Sequence, residues 1–106
     1  VKRSRVRSLP LSDRVFDILH EGLRKAVSDP LGTARVLDMM GFEIFGKTGT
    51  AQSVPGKDHH AWFVGWNTAG KVKISFCVFL EYGGSSYNAC LVTRELLQGM
   101  RGEGII

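Results

Sequence analysis

The segment from Val72 to Tyr82 is the feature that most constrains how this chain can fold. One face of the segment, taken at every second residue, is apolar and carries Val72, Ile74, Phe76, Val78 and Leu80. The opposite face is also largely apolar, because it carries Cys77 and Phe79 beside Ser75. A strand with two apolar faces is typical of the inside of a larger sheet, where both faces are covered. We therefore expect an incomplete domain with an unpaired sheet edge.

Two more strands and two helices are predicted around this segment. The run from Phe42 to Gln52 and the run from His60 to Asn67 are rich in aromatic and β-branched residues and predict strands. Thr68-Ala-Gly-Lys71 predicts a tight hairpin, which would make the second and third strands antiparallel. One helix is expected over residues 12–28, with Ser12 as its N-cap. A second helix is expected over residues 85–100, with Ser85 or Ser86 as its N-cap.

The predicted fold class is therefore α+β. It consists of an antiparallel sheet of three strands within residues 42–82, flanked by N- and C-terminal helices, with residues 1–11 as a basic lead-in. The net charge of +4 comes mostly from this lead-in, through Lys2, Arg3, Arg5 and Arg7. Such an arm can bind phosphates, but no aromatic stacking platform or groove-reading helix follows it. We expect a solvated segment and no nucleic-acid partner.

Neither a metal site nor a cofactor is expected. His59 and His60 are adjacent in an extended segment, so their side chains point to opposite faces, and His20 has no partner at ligand spacing. Cys77 and Cys90 lack C-x-x-C spacing and are expected to be two buried thiols. No stretch is long and apolar enough to span a membrane, and Val1 does not begin a signal-peptide pattern.

One segment matches two different motifs. Gly41-Phe-Glu-Ile-Phe-Gly46-Lys47-Thr48 fits the G-x-x-x-x-G-K-[ST] phosphate loop of nucleotide-binding proteins. That loop needs small turn-forming residues and an immediate helix, whereas Phe42 and Phe45 favour a strand, and Gly49 and Pro55 disfavour a helix. We consequently keep nucleotide binding as a minor alternative and take Lys47-Thr-Gly49 as a motif of serine acyl-transferases that act on penicillin and on peptidoglycan peptides.

The longer pattern resembles the C-terminal part of a class B penicillin-binding protein. The residues that carry this resemblance are Gly46-Lys-Thr-Gly-Thr-Ala-Gln52, His60-Ala-Trp-Phe-Val-Gly-Trp66 and Gly83-Gly84, with Leu31-Gly-Thr-Ala34 upstream. They cover nearly the whole chain after about Ser8. The resemblance implies part of a D,D-transpeptidase domain at the extracytoplasmic (periplasmic) face of the bacterial inner membrane, anchored through an N-terminal part of the parent that is not in this chain.

The resemblance also implies roles for four residues. Lys47 would supply positive charge beside the substrate's terminal carboxylate, and Thr48 and Thr50 would offer hydroxyl groups to that carboxylate. The backbone N–H of Thr50 would form half of the oxyanion hole, and Gly49 would let the substrate lie along the strand. The implied partners are peptidoglycan stem peptides and β-lactams. For Trp62 and Trp66, which share one side of their strand, we expect core packing and not substrate contact.

The chain departs from the family pattern in its serine motifs. No Ser-x-x-Lys occurs in it, although the family places one before the Lys-Thr-Gly strand to supply the nucleophile. Ser86-Tyr-Asn88 mimics the family's Ser-x-Asn but follows Lys47, so it is interpreted as a helix cap. The remainder of the domain would have to supply both motifs, and the isolated chain is expected to be inactive. A β-lactam-sensing domain and a serine β-lactamase of the same superfamily are alternatives.

Overall fold

A computed structural model describes residues 3–106 and places three antiparallel strands between two helices. The elements, in chain order, are helix α1 (Asp13–Ser28), a short 3-10 helix (Arg35–Leu37), strands β1 (Ile44–Ala51), β2 (His60–Asn67) and β3 (Ile74–Leu80), and helix α2 (Ser86–Gly102). The strands lie in the order β1-β2-β3, and both neighbouring pairs are antiparallel. This architecture confirms the predicted α+β class.

Both helices begin after a serine that accepts a backbone hydrogen bond. The Ser12 hydroxyl accepts from the N–H of Val15 at 3.3 Å, and the Ser85 hydroxyl accepts from the N–H of Tyr87 at 3.2 Å. Each hydroxyl satisfies one of the N–H groups that have no partner inside the first turn of a helix. Ser85 is therefore the N-cap of α2, and Ser86 is its first helical residue.

Strand β2 has the predicted bounds, whereas β1 and β3 are shorter than the predicted runs from Phe42 to Gln52 and from Val72 to Tyr82. The connection from β2 to β3 occupies residues 68–73 and is not the tight hairpin predicted for Thr68 to Lys71. Asn67, which is fully buried, accepts from the N–H of Glu43 at 2.9 Å and donates to the carbonyl of Ala69 at 2.8 Å. These two bonds fix a wider loop, so β3 starts at Ile74 and not at Val72.

The hydrophobic core joins the sheet to α2 and also includes Val27 of α1 and Ala34, Leu37 and Met39 of the segment that follows it. Strand residues Ala61, Phe63 and Val78 meet the buried helical residues Ala89, Cys90 and Leu97. They come from alternate positions along the strands and from one face of the helix, as amphipathic elements require. One face of the sheet is consequently sealed.

The opposite face of the sheet is only partly covered. Helix α1 packs on this side against β1, while Val64 on β2 remains 53% exposed and Phe79 on β3 remains 44% exposed. Cys77 on the same face is also exposed. The prediction that β3 is covered on both faces is therefore wrong for this chain, and so is the prediction that Cys77 is buried, because α1 does not shield that part of the sheet.

Trp62 and Trp66 differ in exposure because α1 covers only part of this face of the sheet. Trp66 stacks on Phe45 with ring centroids 5.0 Å apart, beside His20 of α1, and is half-buried. Trp62 packs against Phe79, at 4.3 Å between centroids, and is 38% exposed. Core packing is therefore the wrong prediction for Trp62, which lies beyond the reach of α1.

The lead-in has no regular secondary structure in its described part. Residues 3–12 precede α1, and Arg3, Arg5 and Arg7 are exposed, while Lys2 of the basic arm lies outside the described residues. Within residues 3–106, no helix has the length and apolar character needed to cross a membrane.

Candidate functional site

The Lys-Thr-Gly residues lie in β1, at an open edge of the sheet. Each residue of β1 from Ile44 to Ala51 has a partner in β2, and in residues 3–106 no other strand pairs with β1. The side of β1 away from β2 is called the open edge below. An open edge presents backbone N–H and C=O groups that a further extended peptide can use.

Two hydrogen bonds identify which backbone groups of β1 point to the open edge. The carbonyl of Ile44 accepts from Arg24 of α1 at 2.9 Å, whereas the carbonyl of Glu43 accepts from the N–H of Thr68, on the β2 side, at 3.1 Å. Backbone groups alternate in direction along a strand, so the even-numbered residues of β1 face the open edge. By this alternation the N–H of Thr50 points outward, as the role predicted for it requires.

Lys47 brings positive charge to the open edge. Its side chain is exposed, and its ammonium group donates to the carbonyl of Thr48 at 2.8 Å. That carbonyl belongs to an even-numbered residue, so the contact holds the ammonium group beside the outward-facing backbone. An ammonium group has three donors, which leaves two for a ligand.

Thr48 lies on the other face of the strand and is buried, with 8% of its surface exposed. Its hydroxyl donates to the hydroxyl of Thr33, which precedes the 3-10 helix, at 3.1 Å. The structure thus joins Thr48 to the loop before β1 and separates its side chain from that of Lys47. The role predicted for the Thr48 hydroxyl, binding a carboxylate, stays a prediction.

Gly49 and Thr50 continue the strand toward its end. A Cβ atom added to Gly49 would meet the Cβ of Trp62 at 3.6 Å, an ordinary contact, so the fold itself does not demand glycine at this position. The Thr50 side chain is exposed, and its hydroxyl accepts the backbone N–H of Ser86, the first residue of α2, at 3.3 Å. Lys47, Gly49 and Thr50 therefore all border accessible space at one end of β1.

An open groove lies on the α1 side of the sheet, next to Lys47. Its volume is about 590 Å³, and its lining includes Leu23 of α1, Lys47 of β1, Val64 and Trp66 of β2, and Ser75 and Cys77 of β3. The lining is mostly apolar, and Lys47, Ser75 and Cys77 are the lining residues that have polar side chains. It follows the part of the sheet that α1 leaves uncovered.

The geometry contradicts the phosphate-loop alternative. Residues 44–51 form an extended strand, and β2 is the next regular element, with no helix directly after Lys47. A phosphate loop instead bends its N–H groups around the anion and leads into a helix. Nucleotide binding by Gly41 to Thr48 has no structural basis here.

His60 and the second cysteine have structural contacts and are not part of a metal site within residues 3–106. Nδ1 of His60 accepts from the N–H of Tyr82 at 3.0 Å, and no cluster of three or more metal-binding side chains occurs in the described part of the chain. Cys90 is fully buried, and burial raises the pKa of its thiol to about 11, because a thiolate would lose its hydration there. Cys90 therefore serves as a core residue.

Two residues at the site were not recognised from the sequence. Thr33 had a signal, since it belongs to Leu31-Gly-Thr-Ala34, but the sequence did not indicate that its hydroxyl would meet Thr48. Ser86 was interpreted only as a helix cap, and its backbone contact with Thr50 joins residues 36 positions apart. Contacts at such separation depend on the packing of α2 and leave no local pattern.

Comparison with known proteins identifies a family for this chain. The model of the penicillin binding protein transpeptidase domain family matches residues 1–98. Among solved structures, a match has a TM-score of 0.62 and 23% sequence identity, and it is the D,D-transpeptidase domain of a peptidoglycan glycosyltransferase from Eggerthella lenta. The alignment covers 82% of this chain and 20% of that one, so this chain spans about a fifth of the length of that protein. No curated protein sequence matches.

At this level of identity the structural match establishes the fold alone, with the three-stranded antiparallel sheet between two helices as a part of a transpeptidase domain. The family match extends over nearly all of the sequence. The chain therefore belongs to the penicillin binding protein transpeptidase domain family.

Proposed function

We propose that this chain is the substrate-binding part of a serine-type peptidoglycan D,D-transpeptidase, which cross-links stem peptides in the bacterial cell wall. The observation that carries the proposal is the open edge of β1, where Lys47 and the outward N–H of Thr50 lie on an extended strand. A stem peptide that ends in D-Ala-D-Ala would add to this edge as a further antiparallel strand. Its terminal carboxylate would lie near Lys47 and the Thr50 hydroxyl.

The proposed reaction proceeds through an acyl-serine. The serine oxygen attacks the carbonyl carbon between the two D-alanines, the C–N bond breaks, and the terminal D-alanine leaves with a proton on its amine. An amine of a neighbouring stem peptide then attacks the ester, which forms the cross-link and frees the serine. The N–H of Thr50 would stabilise the negative charge that develops on the carbonyl oxygen. Loss of one such donor typically costs about 3 to 4 kcal/mol in the barrier.

The nucleophile in this proposal comes from outside the 106 residues. The chain contains no Ser-x-x-Lys, so the remainder of the transpeptidase domain would supply that motif and the Ser-x-Asn motif. The partly covered face of the sheet supports this proposal, because Trp62, Val64 and Phe79 are exposed large apolar side chains that a further part of the domain would cover. We also propose an extracytoplasmic location, with membrane attachment through that remainder.

The first experiment tests where the nucleophile lies. A fluorescent penicillin should leave the 106-residue chain unlabelled and should covalently label a polypeptide that joins this chain to an upstream Ser-x-x-Lys segment. Transfer of the acyl group from a peptide ending in D-Ala-D-Ala to an added amine would then distinguish a transpeptidase from a β-lactam sensor or a β-lactamase. Covalent labelling of the 106-residue chain itself would overturn the assignment of the nucleophile.

The second experiment tests the open edge. Gly49→Ala adds a methyl group that the fold accommodates, but the group would project on the Lys47 face of β1, where the ligand is expected. We expect acylation of the joined polypeptide by penicillin to slow at least about tenfold, which corresponds to about 1.4 kcal/mol. The midpoint of thermal unfolding should stay the same.

The matched control is Gly99→Ala in α2, where an added Cβ meets nothing within 4 Å. This variant should acylate at the normal rate. If Gly49→Ala also acylates normally while it remains folded, the ligand does not use this edge and the proposal is wrong.

A further inference from the structure

The Thr50 hydroxyl has a backbone partner that comes from a distant part of the chain. Its oxygen accepts the N–H of Ser86 at 3.3 Å, and within residues 3–106 it donates to no protein acceptor. A hydroxyl group has one donor and two acceptor lone pairs. Because the N–H of Ser86 occupies one lone pair, the proton of the hydroxyl points elsewhere and is available to an acceptor at the open edge.

The position of Ser86 is fixed by the turn before α2 and not by its own side chain. Three hydrogen bonds hold this turn: the N–H of Tyr82 to Nδ1 of His60 at 3.0 Å, the N–H of Gly84 to the carbonyl of His59 at 2.9 Å, and the Asn88 amide to the carbonyl of Gly83 at 2.8 Å. His60 pairs with Ala51, the residue after Thr50. The turn is thus tied to the same end of the sheet as Thr50.

We propose that the backbone N–H of Ser86 is a positioning group for the Thr50 hydroxyl and directs the hydroxyl proton toward the anionic end of a ligand on the open edge. Without this contact, the threonine side chain can rotate among its staggered rotamers, and only a fraction of them aim the proton at the ligand. Ser86 does not touch the ligand in this account. The inference rests on the proposed function, and it adds α2 to the elements that shape the site.

A proline substitution can remove this N–H without breaking the helix. Ser86 is the first helical residue, where proline is well tolerated because that N–H has no partner inside the helix. The residue before a proline must be extended, and Ser85 already has φ −73 and ψ 144. Ser86→Pro therefore keeps the backbone path and deletes the donor, and its ring Cδ takes the place of the hydrogen, which turns the Thr50 hydroxyl away from this position.

The readout compares two forms of one ligand in the joined polypeptide. Penicillin carries a free carboxylate, and its methyl ester lacks that charge. We expect Ser86→Pro to slow acylation by penicillin about five- to fifteenfold, the size expected for weakening one hydrogen bond to a charged group. Acylation by the methyl ester should change less than about twofold, because the ester has no negative charge for the Thr50 hydroxyl proton to bind. Ser86→Ala keeps the N–H and should retain the preference for the free acid.

Asp13→Pro provides the matched control. Asp13 is the first residue of α1, and Ser12 before it is extended, with φ −70 and ψ 158. Asp13→Pro makes the same change at the start of α1, whereas the hydrogen bond to Thr50 comes from α2. The acylation rates with penicillin and with its methyl ester should both stay normal. An ester in place of the Ser85–Ser86 amide removes the same N–H without adding a ring atom beside Thr50, and it is measured in the same way and should give the same selective slowing.

The possible outcomes separate the two proposals. Selective slowing with penicillin supports the inference. Equal slowing with both ligands, or a normal rate with penicillin, overturns it while the proposed function stands. Failure of the unsubstituted joined polypeptide to react with penicillin at all overturns the proposed function and this inference with it.

Discussion

Gly65 lies so close to the neighbouring strand that a side chain has no room there. A Cβ atom at this position would approach the carbonyl oxygen of Phe45 to 2.2 Å, and the obstacle is backbone. Gly65 pairs with Gly46, whose Cβ would meet the ring of Phe63 at 2.4 Å. The two glycines thus let β1, β2 and the Phe63 ring pack closely under the Lys-Thr-Gly strand.

We predict that Gly65→Ala lowers the free energy of unfolding by about 1 to 3 kcal/mol, the usual cost of overpacking a core. Urea denaturation measures this change. Gly22→Ala is the matched control, because a Cβ at Gly22 of α1 meets nothing within 4 Å and alanine favours a helix by up to about 1 kcal/mol. Equal stability of the two variants would contradict the close approach of the strands.

The two cysteines should react at very different rates. In the folded chain at pH 8, one thiol, Cys77, should react quickly with a disulfide reagent such as DTNB, since it is exposed. Cys90 is fully buried, so it should react only as the chain unfolds. Two fast thiols in the native chain would show that the sheet does not cover Cys90.

The raised pKa of Cys90 also predicts a pH dependence of stability. In the folded chain burial raises this pKa from 9.0 to about 11, so between these values the folded state holds a proton that the unfolded state has lost. This contribution to stability is complete below pH 9 and disappears as the pH rises to 11. Urea denaturation at several pH values should show a smaller decline over that range for Cys90→Ala, which lacks the thiol.

Among the secondary-structure elements, the β1–β2 pair depends on one buried side chain at the end where Ile44 and Asn67 face each other. Asn67 links the N–H of Glu43 to the carbonyl of Ala69. We predict that Asn67→Ala destabilises the chain by about 1 to 3 kcal/mol, because it leaves these backbone groups without their partner. Urea denaturation and faster amide exchange at Glu43 measure the effect.

The control for Asn67 is Thr68→Ala. The Thr68 hydroxyl also contacts Glu43, through its carboxylate, but that contact is exposed. Its loss should change stability by less than about 0.5 kcal/mol, as is usual for surface positions. A comparable loss in the two variants would mean that burial of Asn67 is not what makes it important.

The kind and order of the elements could be predicted from the sequence because local chemistry sets them. Ser12 and Ser85 are good helix caps, and the run from His60 to Asn67 is rich in aromatic and β-branched residues, which favour a strand. The element ends were predicted less well. Strands β1 and β3 are shorter than predicted, and at their Ile44 and Ile74 ends the hydrogen bonds of Asn67 hold residues in loops that local preference would assign to strands.

For the whole molecule, the uneven cover of the sheet has a measurable consequence. One face of the sheet is sealed by α2, while Val64 and Phe79 on the other face remain 53% and 44% exposed. Exposed apolar surface of this kind binds hydrophobic dyes. We predict that the folded 106-residue chain enhances the fluorescence of ANS and that joining it to the upstream segment reduces this enhancement.

A double substitution tests where ANS binds on the chain. Val64→Lys with Phe79→Lys should lower the ANS signal of the chain and leave its helical circular dichroism unchanged, because neither side chain belongs to the core under α2. The matched control is Leu96→Lys, since Leu96 is 47% exposed but lies on α2, away from this face of the sheet. If the double variant binds as much dye as the unsubstituted chain, the uncovered face is not the dye site.

The sequence by itself determined the elements, the family resemblance and the strand that carries Lys47, Gly49 and Thr50, since these follow from neighbouring residues and from a contiguous motif. Only the tertiary structure decided that Thr48 is buried against Thr33, that Trp62 is exposed, and that the N–H of Ser86 reaches Thr50. The physical reason is distance along the chain. Burial and contacts between remote residues depend on where whole helices pack on the sheet, and periodicity in one segment carries no information about that placement.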